Sequence, residues 1–244
     1  IGAIYNSFGI PAVTTAQMED FAQVMRRLWR GELIFNRDGP LGKYPILFLD
    51  PDFREDIRLA IVAFGPQTLA LGGREFDDVI LHTYFTPETL QRAVKTVKDA
   101  AEQAGRDPAR VKVWSCFATV GDHLLEELRL KKTVARLATY LQGYGDLLVN
   151  TNNWDPAVLQ RFRDDPVVQS VPGGIDHKAS AEQIAHIATL IPDEWLEPSA
   201  TGSAQQCVDR VRKEFDYGAD AVIMHGATPD ELAHIIEVYR ESVG

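Results

Sequence analysis

The fold is indicated by two stretches of similar sequence, DDVILHTYFTPE at Asp77–Glu88 and DAVIMHGATPD at Asp220–Asp230. Each runs from an acidic residue through a short apolar segment to a histidine, a short loop and the sequence Thr-Pro-acid. A short apolar run bounded by polar residues is typical of a strand that is covered on both faces. Both stretches therefore predict a buried strand whose carboxyl end carries a histidine.

The Thr-Pro-acid sequence in each stretch predicts the start of a helix. Threonine can cap free backbone N–H groups, proline fits the first turn, and an acidic residue stabilises the positive end of the helix dipole. In the second stretch, Thr228 and Glu231 also have the spacing of a capping box. Each stretch is thus a strand–loop–helix unit, and α/β folds bind ligands at the carboxyl ends of such strands.

The composition of the 244-residue chain limits its class and its partners. A hydrophobic content of 45% is ordinary for a globular protein. A formal net charge of −10 argues against binding to nucleic acid or to anionic membranes, which need a basic surface. The two cysteines, Cys116 and Cys207, and the histidines lack metal-ligand spacing, so we expect reduced thiols in a cytoplasmic protein without a metal site. No apolar run is long enough to span a membrane, and we expect no secretion signal.

Helices and strands alternate along the rest of the chain. A capping box at Thr14 and Gln17 predicts the first helix, and later apolar runs and glycine stops predict the others. The alternation predicts either a doubly wound sheet or a (β/α) barrel, and the lack of a Gly-rich dinucleotide fingerprint disfavours the first. The predicted elements are helices at Thr14–Trp29, Gln67–Phe76, Pro87–Ala104 and Pro229–Val243, and strands at Ile57–Ala63, Val79–Leu81, Val111–Val120 and Val222–Met224.

Two segments do not fit this simple alternation. Glu32–Asp56 contains several prolines and glycines and predicts a long loop, with room for one short strand. Leu124–Leu196 predicts helices interrupted at Gly143 and Gly145. This second segment is too long for a simple crossover, so we expect a variable inserted region around residues 122–198.

The order and spacing of several short motifs carry a family resemblance. The chain resembles the bacterial luciferase-like superfamily and, more closely, its branch of deazaflavin (coenzyme F420)-dependent oxidoreductases. The likeness covers most of the chain outside the stretch from about Asp122 to Pro198. The motifs are AIVAFGPQTLALGG at Ala60–Gly73, DDVILH at Asp77–His82, AGRDP at Ala104–Pro108, SATGS at Ser199–Ser203, GAD at Gly218–Asp220 and HGATPDEL at His225–Leu232.

The resemblance implies a (β/α)₈ TIM-type barrel with a flavin or deazaflavin lying across the carboxyl ends of its strands. It implies that one loop offers backbone groups to the phosphate-bearing side chain of the cofactor, and that a neighbouring strand end lies nearby. Small residues allow such an approach, and a following helix turns N–H groups toward an anion. Without the resemblance, Gly65-Pro66 is an ordinary tight turn. The cofactor-binding residues implied are Ala63, Phe64, Gly65, Leu81, His82 and Thr83.

The resemblance also indicates what lies outside the sequence. Family members carry four strands ahead of the helix that matches Thr14–Trp29, one of them with a non-proline cis peptide that supports the cofactor ring. We therefore expect the C-terminal half of a barrel with its insertion, a single domain at 1–244 that is incomplete at its N-terminus. About 100 further residues would precede it in a barrel of usual length. A natural half-barrel completed by dimerisation is the alternative.

His82 and His225 are the candidate acid–base residues, because a histidine with an ordinary pKa can move protons near neutral pH. Either side chain can instead bind a backbone carbonyl at the rim of the sheet. His82 matches the cofactor side in the family, so we assign the catalytic role to His82 and expect a structural role for His225.

Three functions follow as alternatives. The first is hydride transfer between coenzyme F420 and an unknown small organic substrate, in a homodimer served by a separate enzyme that regenerates the cofactor. The second is an FMN-dependent luciferase-like monooxygenase. The third is a cofactor-binding or assembly domain without catalysis. In the first two cases the cofactor supplies the main chemistry. The sequence does not identify the substrate, because variable loops form the walls of the pocket.

Overall fold

The computed structural model describes residues 8–53, 55 and 57–242 and divides them into two compact units. We name them the hairpin unit and the helical unit. The hairpin unit comprises the described residues up to Ile80 together with Ala93–Val113. The helical unit comprises Leu81–Arg92 and the chain from Trp114 onward. The assignment of the whole chain to a single domain stays a prediction.

The hairpin unit begins with the predicted amphipathic helix, α1, at Thr15–Trp29. The Thr14 hydroxyl accepts a hydrogen bond from the Gln17 N–H at 3.2 Å, and the Thr14 N–H donates to the Gln17 side chain at 2.9 Å. This confirms the predicted capping box. Gly31 ends the helix with φ 77°, a conformation that glycine adopts without strain.

The next segment corrects the sequence-based interpretation. Strands β1 (Ile34–Gly39) and β2 (Gly42–Leu47) form an antiparallel hairpin where a long loop was predicted. The glycines and Pro40 interpreted as loop residues lie at a two-residue turn instead, and Gly42 adopts φ 121°. Asp56, the last residue of the predicted loop, lies outside the described residues.

A strand, a tight turn and a helix follow, as predicted. β3 spans Ala60–Ala63, shorter than the predicted Ile57–Ala63, and α2 spans Pro66–Glu75. β4 begins at Asp78 and ends at Leu81, the first residue of the helical unit. Within the hairpin unit the Asp78 N–H donates to the Leu59 carbonyl and the Lys112 N–H donates to the Asp77 carbonyl, at 3.1 and 2.8 Å. β4 therefore lies between β3 and the start of the next strand.

The C-terminal part of helix α3 (Pro87–Gln103) packs closely on α2 within the hairpin unit. A Cβ atom placed on Gly73 would fall onto the Val97 carbonyl oxygen and within 2.9 Å of the Ala100 Cβ. The Arg106 side chain also donates to the Gly73 carbonyl at 2.6 Å. This glycine is needed for the approach of the two helices.

In the helical unit a run of helices occupies the interval between β5, which spans Lys112–Gly121, and the strand that begins at Ala200. Their positions confirm the predicted helical segment. The second and longest helix departs from helical geometry at Tyr144 (φ −155°, ψ 37°), between the two glycines predicted as an interruption. The helices are α4 (Glu126–Lys132), α5 (Val134–Asn152), α6 (Pro156–Asp164), α7 (Pro166–Ser170), α8 (Ile175–Lys178), α9 (Ala181–Ala188) and α10 (Asp193–Leu196).

Two short strands pair with β5 in parallel, and the one at Ala221–His225 contains the predicted strand Val222–Met224. β7 (Ala221–His225) pairs with residues Trp114–Ala118, and β6 (Ala200–Gly202) pairs with Thr119–Gly121. β6 was not predicted, because its three residues, Ala-Thr-Gly, contain no apolar run.

The last two helices cover one face of β5. Capping boxes at Ser203/Gln206 and Thr228/Glu231 start α11 (Ala204–Asp216) and α12 (Pro229–Glu241), and the second of these boxes was predicted. Apolar residues of both helices pack around Phe117. Val243, the predicted end of the last helix, lies outside the described residues. No helix among the described residues has the length and hydropathy needed to cross a membrane.

Candidate active site

His82 directly follows β4, where the sequence placed it, and both of its ring nitrogens make hydrogen bonds. Nδ1 lies 2.9 Å from the Thr83 carbonyl oxygen, and Nε2 lies 2.8 Å from the Tyr144 hydroxyl oxygen. Because a carbonyl oxygen can only accept, Nδ1 carries the proton and Nε2 accepts from Tyr144. This tautomer presents a basic nitrogen to a tyrosine hydroxyl.

The environment keeps His82 uncharged. Burial lowers its pKa to about 4, and the nearby His225 acts in the same direction, while the hydrogen bond to Thr83 acts against both. Burial also raises the pKa of Tyr144 well above its ordinary value. At neutral pH the pair is therefore a neutral imidazole and a neutral phenol, joined by one hydrogen bond.

Aromatic rings fix the orientation of His82. The Tyr140 ring meets the imidazole edge-on with centroids 5.0 Å apart, and the Tyr144 ring does the same at 5.1 Å. Tyr140 and Tyr144 stack on each other at 5.5 Å, because residues four apart lie on one face of α5. Tyr84 adds an edge contact to Tyr140 at 6.2 Å. We name these four residues the His82 cluster.

Tyr84 is fully buried and holds the loop after His82 in an unusual conformation. Its φ of 64° is rare for a bulky residue and costs on the order of 1–3 kcal/mol. Two hydrogen bonds offset this cost: the Tyr84 hydroxyl donates to the Thr133 carbonyl at 3.1 Å, and the Asn152 amide donates to the Tyr84 carbonyl at 2.8 Å. The loop therefore has one well-defined conformation.

Cys116 lies beside the His82 cluster as a neutral thiol. The Thr83 hydroxyl donates to its sulfur at 3.4 Å, and burial raises the thiol pKa. A thiol of raised pKa is a poor nucleophile. Cys116 therefore serves as packing rather than as a reactive group.

His225 ends β7 and differs from His82 in its contacts. Its buried Nδ1 has no hydrogen-bond partner among the described residues. Burial lowers its pKa, and the charge of Arg136 lowers it further. The next residue is held in place, since Lys132 donates to the Gly226 carbonyl at 3.0 Å and forms an ion pair with Glu231 at 3.0 Å. His225 is thus a neutral group whose Nδ1 atom bonds to no other residue that the structure describes.

In the hairpin unit, Ala63 ends β3 and Gly65 occupies the cap position of α2. The side chains of Ala63 and Phe64 are buried, so only the backbone of this turn is available to a ligand. Gly65 has φ −90°, which suits any residue, yet a Cβ atom there would meet nothing within 4 Å. The backbone conformation of Gly65 does not require a glycine. The effect of the glycine is to leave open space at the start of the helix.

The six residues predicted to bind cofactor divide between the units, with Leu81, His82 and Thr83 in the helical unit. Leu81 is buried, whereas His82 and Thr83 join the polar group around Cys116 and Tyr144. Sequence reasoning missed the cluster tyrosines. The pair of tyrosines at a four-residue spacing, with glycines on both sides of the second, was the available signal. No group of three potential metal ligands occurs in the described part of the chain.

A parallel α/β fold with polar side chains at a strand end is typical of TIM-barrel enzymes, and comparison with known proteins agrees with this class. The family described as luciferase-like monooxygenase matches residues 3–221, and the chain belongs to this family. The resemblance noted in the sequence is confirmed.

Individual relatives narrow the comparison. A 5,10-methylenetetrahydromethanopterin reductase of Methanolobus tindarius is 25% identical over 69% of this chain and 48% of its own length. A phthiodiolone/phenolphthiodiolone dimycocerosates ketoreductase of Mycobacterium tuberculosis is 32% identical over 39% of this chain and 26% of its own length. The solved coenzyme F420-dependent tetrahydromethanopterin reductase of Methanopyrus kandleri matches with a TM-score of 0.74 at 17% identity, over 98% of this chain and 70% of that one. The chain thus spans about half or less of each of these two curated relatives, and its fold is that of luciferase-like TIM-barrel enzymes.

Proposed function

We propose that the natural protein is an oxidoreductase that exchanges a hydride between coenzyme F420 and a small organic substrate. Membership of the luciferase-like family and the similarity to a reductase support this proposal. The observation that carries it is the hydrogen bond between Tyr144 and the neutral His82, because this pair can accept a proton while a hydride leaves the substrate.

The residues present fit a cofactor of this kind. Open space at Gly65 lies at the start of α2, where backbone N–H groups attract a phosphate. The Nδ1 atom of His225, which has no partner in the part of the chain that the structure describes, is a buried polar atom suited to a hydrogen bond from or to a bound group. The backbone of Ala63, Phe64 and Gly65 in the hairpin unit would hold the phosphate-bearing side chain, and the family resemblance also assigns Leu81, His82 and Thr83 of the helical unit to the cofactor.

Bound F420 would supply the hydride acceptor or donor, and the protein must then move one proton at the substrate oxygen. In the oxidation direction, the Tyr144 hydroxyl oxygen would accept the proton of a substrate hydroxyl and pass its own proton to His82 Nε2. The aromatic rings around His82 would exclude water from this step. Because the pKa of His82 is about 4, acceptance is transient and the proton returns to solvent after turnover.

The family resemblance also supports expectations about the oligomeric state, location and partners of the enzyme. We expect a homodimer in the cytoplasm, a small-molecule substrate, and a separate enzyme that regenerates the cofactor. Sedimentation of the natural protein tests the dimer.

An FMN-dependent monooxygenase is the second candidate, favoured by the family to which the chain belongs. This reaction consumes molecular oxygen, whereas hydride exchange with F420 does not. The two candidates therefore differ in a quantity that an oxygen electrode measures.

The test uses the full natural protein and begins with calorimetric titration by oxidised F420 and by FMN. We expect F420 to bind more tightly than FMN. We also expect the absorbance of oxidised F420 to fall when the protein is mixed with F420 and a secondary alcohol that it oxidises. Tyr144→Phe should lose about 10²–10⁴-fold in turnover with F420 affinity unchanged. Preferential FMN binding with oxygen uptake would support the monooxygenase, and binding of neither cofactor would support the non-catalytic alternative.

A further inference from the structure

The helical unit contains a concave region that the proposed reaction does not use. A cavity of about 420 Å³ opens between the start of α3, the end of α5 and the C-terminal half of α11. Its volume lies in the range of about 300–1,000 Å³ that is common for small-molecule sites. All of its lining residues belong to the helical unit.

The cavity lies on the opposite face of β5 from the His82 cluster. Phe117 lines the cavity, whereas its neighbour Cys116 contacts Thr83. Successive side chains of a strand point to opposite faces, so the two regions are separated by the strand itself. A ligand in the cavity would not occupy the candidate active site.

A buried carboxyl group forms part of the cavity wall. Glu214 is only 5% exposed, and its Oε2 accepts a hydrogen bond from the Ser115 hydroxyl at 2.5 Å. In the described part of the chain, Glu214 forms no ion pair. Burial raises its pKa to about 7, while Ser115 and Arg210 act against this shift. A carboxylate buried this way is poorly compensated, and a cation brought next to it would be stabilised.

The charges around the cavity favour a cationic ligand over an anionic one. Arg210 is already engaged, since its guanidinium donates to the carbonyls of Glu197 and Ser199. Lys213 is exposed at the rim. Against these two cations stand four carboxyl groups, which create a negative potential that draws cations inward. They are Glu88, Glu194, Glu197 and Glu214.

Aromatic and apolar residues complete the lining. Phe85 and Phe117 are buried, and Trp154 and Tyr217 are half-buried. Trp154 stacks face to face on Trp195, with centroids 4.6 Å apart, so its position is fixed. Aromatic faces attract ammonium groups and also bury apolar carbon. The lining thus suits a molecule with a charged head and an apolar body.

We propose that this cavity is a binding site for a small organic amine, whose ammonium group pairs with Glu214 and whose apolar body packs against the aromatic lining. The amine is bound without reaction, and its site is independent of the cofactor. The side-chain amide of Asn152 also lines the cavity, but it is not available to the amine, because it already bonds the Tyr84 carbonyl and the Thr86 N–H.

The experiment is calorimetric titration of the natural protein at a pH above 7, where Glu214 is ionised, with three probes of one shape. 2-Phenylethylamine is the cation, 2-phenylethanol the neutral analogue and phenylacetate the anion. We expect saturable binding of the amine and at least tenfold weaker binding of the other two. Quenching of tryptophan fluorescence by the amine gives a second measurement, because Trp154 lines the cavity.

Two variants complete the test. Glu214→Gln keeps the shape and the Ser115 hydrogen bond, and should weaken amine binding at least tenfold and abolish the preference over 2-phenylethanol. Glu237→Gln, on an exposed position of α12, is the matched control and should leave binding unchanged. The proposal is overturned if the alcohol or the anion binds as tightly as the amine, if no probe saturates, or if Glu214→Gln binds the amine normally. The probe comparison in the unmodified protein decides the question even if Glu214→Gln fails to fold.

Discussion

The two histidines at strand ends share a sequence pattern, but their surroundings predict unequal roles. His82 has both ring nitrogens engaged and a tyrosine on its basic nitrogen, whereas His225 makes no hydrogen bond through Nδ1 within the described residues. We expect His82→Ala to lower turnover with F420 by about 10²–10⁴-fold. His225→Ala should cost only a few-fold in turnover and should act mainly on cofactor affinity.

Steady-state turnover and calorimetric cofactor affinity, measured on the same variants, separate these effects. Tyr144→Phe serves as the matched variant, since it removes the hydroxyl and keeps the ring against His82. If His225→Ala proves the more damaging change with cofactor binding intact, the active side of the site is misassigned.

Two groups with shifted pKa values, His82 and Glu214, should give opposite dependences of stability on pH. The pKa of His82 is lowered to about 4, so the unfolded chain binds more protons between about pH 4 and 6.5, and stability rises with pH in that window. The pKa of Glu214 is raised to about 7, so the folded chain binds more protons between about pH 4.5 and 7, and stability falls with pH there. Each effect is at most about 3 kcal/mol, and the two largely cancel in the natural protein.

Single variants should expose each slope. Urea unfolding at about pH 5 and about pH 7 should show Glu214→Gln gaining stability with rising pH, and His82→Gln losing it, relative to the unmodified protein. His225, whose pKa is also lowered, adds to the slope of His82. Parallel pH profiles for all three proteins would contradict the assignment of these buried groups.

At the scale of secondary structure, two glycines near α2 have different reasons to be glycine. Gly65 leaves open space, whereas Gly73 permits the contact of α2 with α3. We expect Gly65→Val to weaken F420 binding by at least about tenfold, or about 1.4 kcal/mol, with little loss of folding stability. Gly73→Ala should instead destabilise the fold by about 1–3 kcal/mol.

Calorimetric titration and thermal unfolding of both glycine variants check this contrast. Gly65→Ala provides a smaller step at the same position and should fall between glycine and valine in cofactor affinity. If Gly65→Val binds F420 with normal affinity, the turn at Gly65 has only a structural role.

Local sequence patterns predicted the elements well where a capping residue and an apolar period agreed. The helix after Thr14, the strand before His82 and the helix after Thr228 have their predicted starts within one residue. The β1–β2 hairpin was missed because Pro40 and the glycines at its turn resemble loop residues. The site was only half predictable, since His82 follows from its strand, but its pairing with Tyr144 joins residues 62 positions apart. Such a contact depends on how α5 packs, which no local pattern encodes.

For the molecule as a whole, cofactor binding should appear as added stability. A ligand that binds only the folded chain stabilises it by about 2.7 kcal/mol at a concentration of 100 times its Kd. We expect F420 to raise the melting temperature of the natural protein more than FMN does at equal concentration. Differential scanning calorimetry measures both shifts, and a larger rise with FMN would favour the flavin alternative.

The face-to-face pair of Trp154 and Trp195 gives the helical unit an optical property of its own. Two indole rings that lie 4.6 Å apart are close enough to couple their electronic transitions, and an in-plane twist between the rings would give the folded pair an exciton couplet in the circular dichroism spectrum. Trp154 lies at the cavity and Trp195 is fully buried, so the couplet would register a shift of either ring without any attached dye. The tryptophan pair is therefore an intrinsic spectroscopic probe of conformational change in the unit that contains the candidate active site.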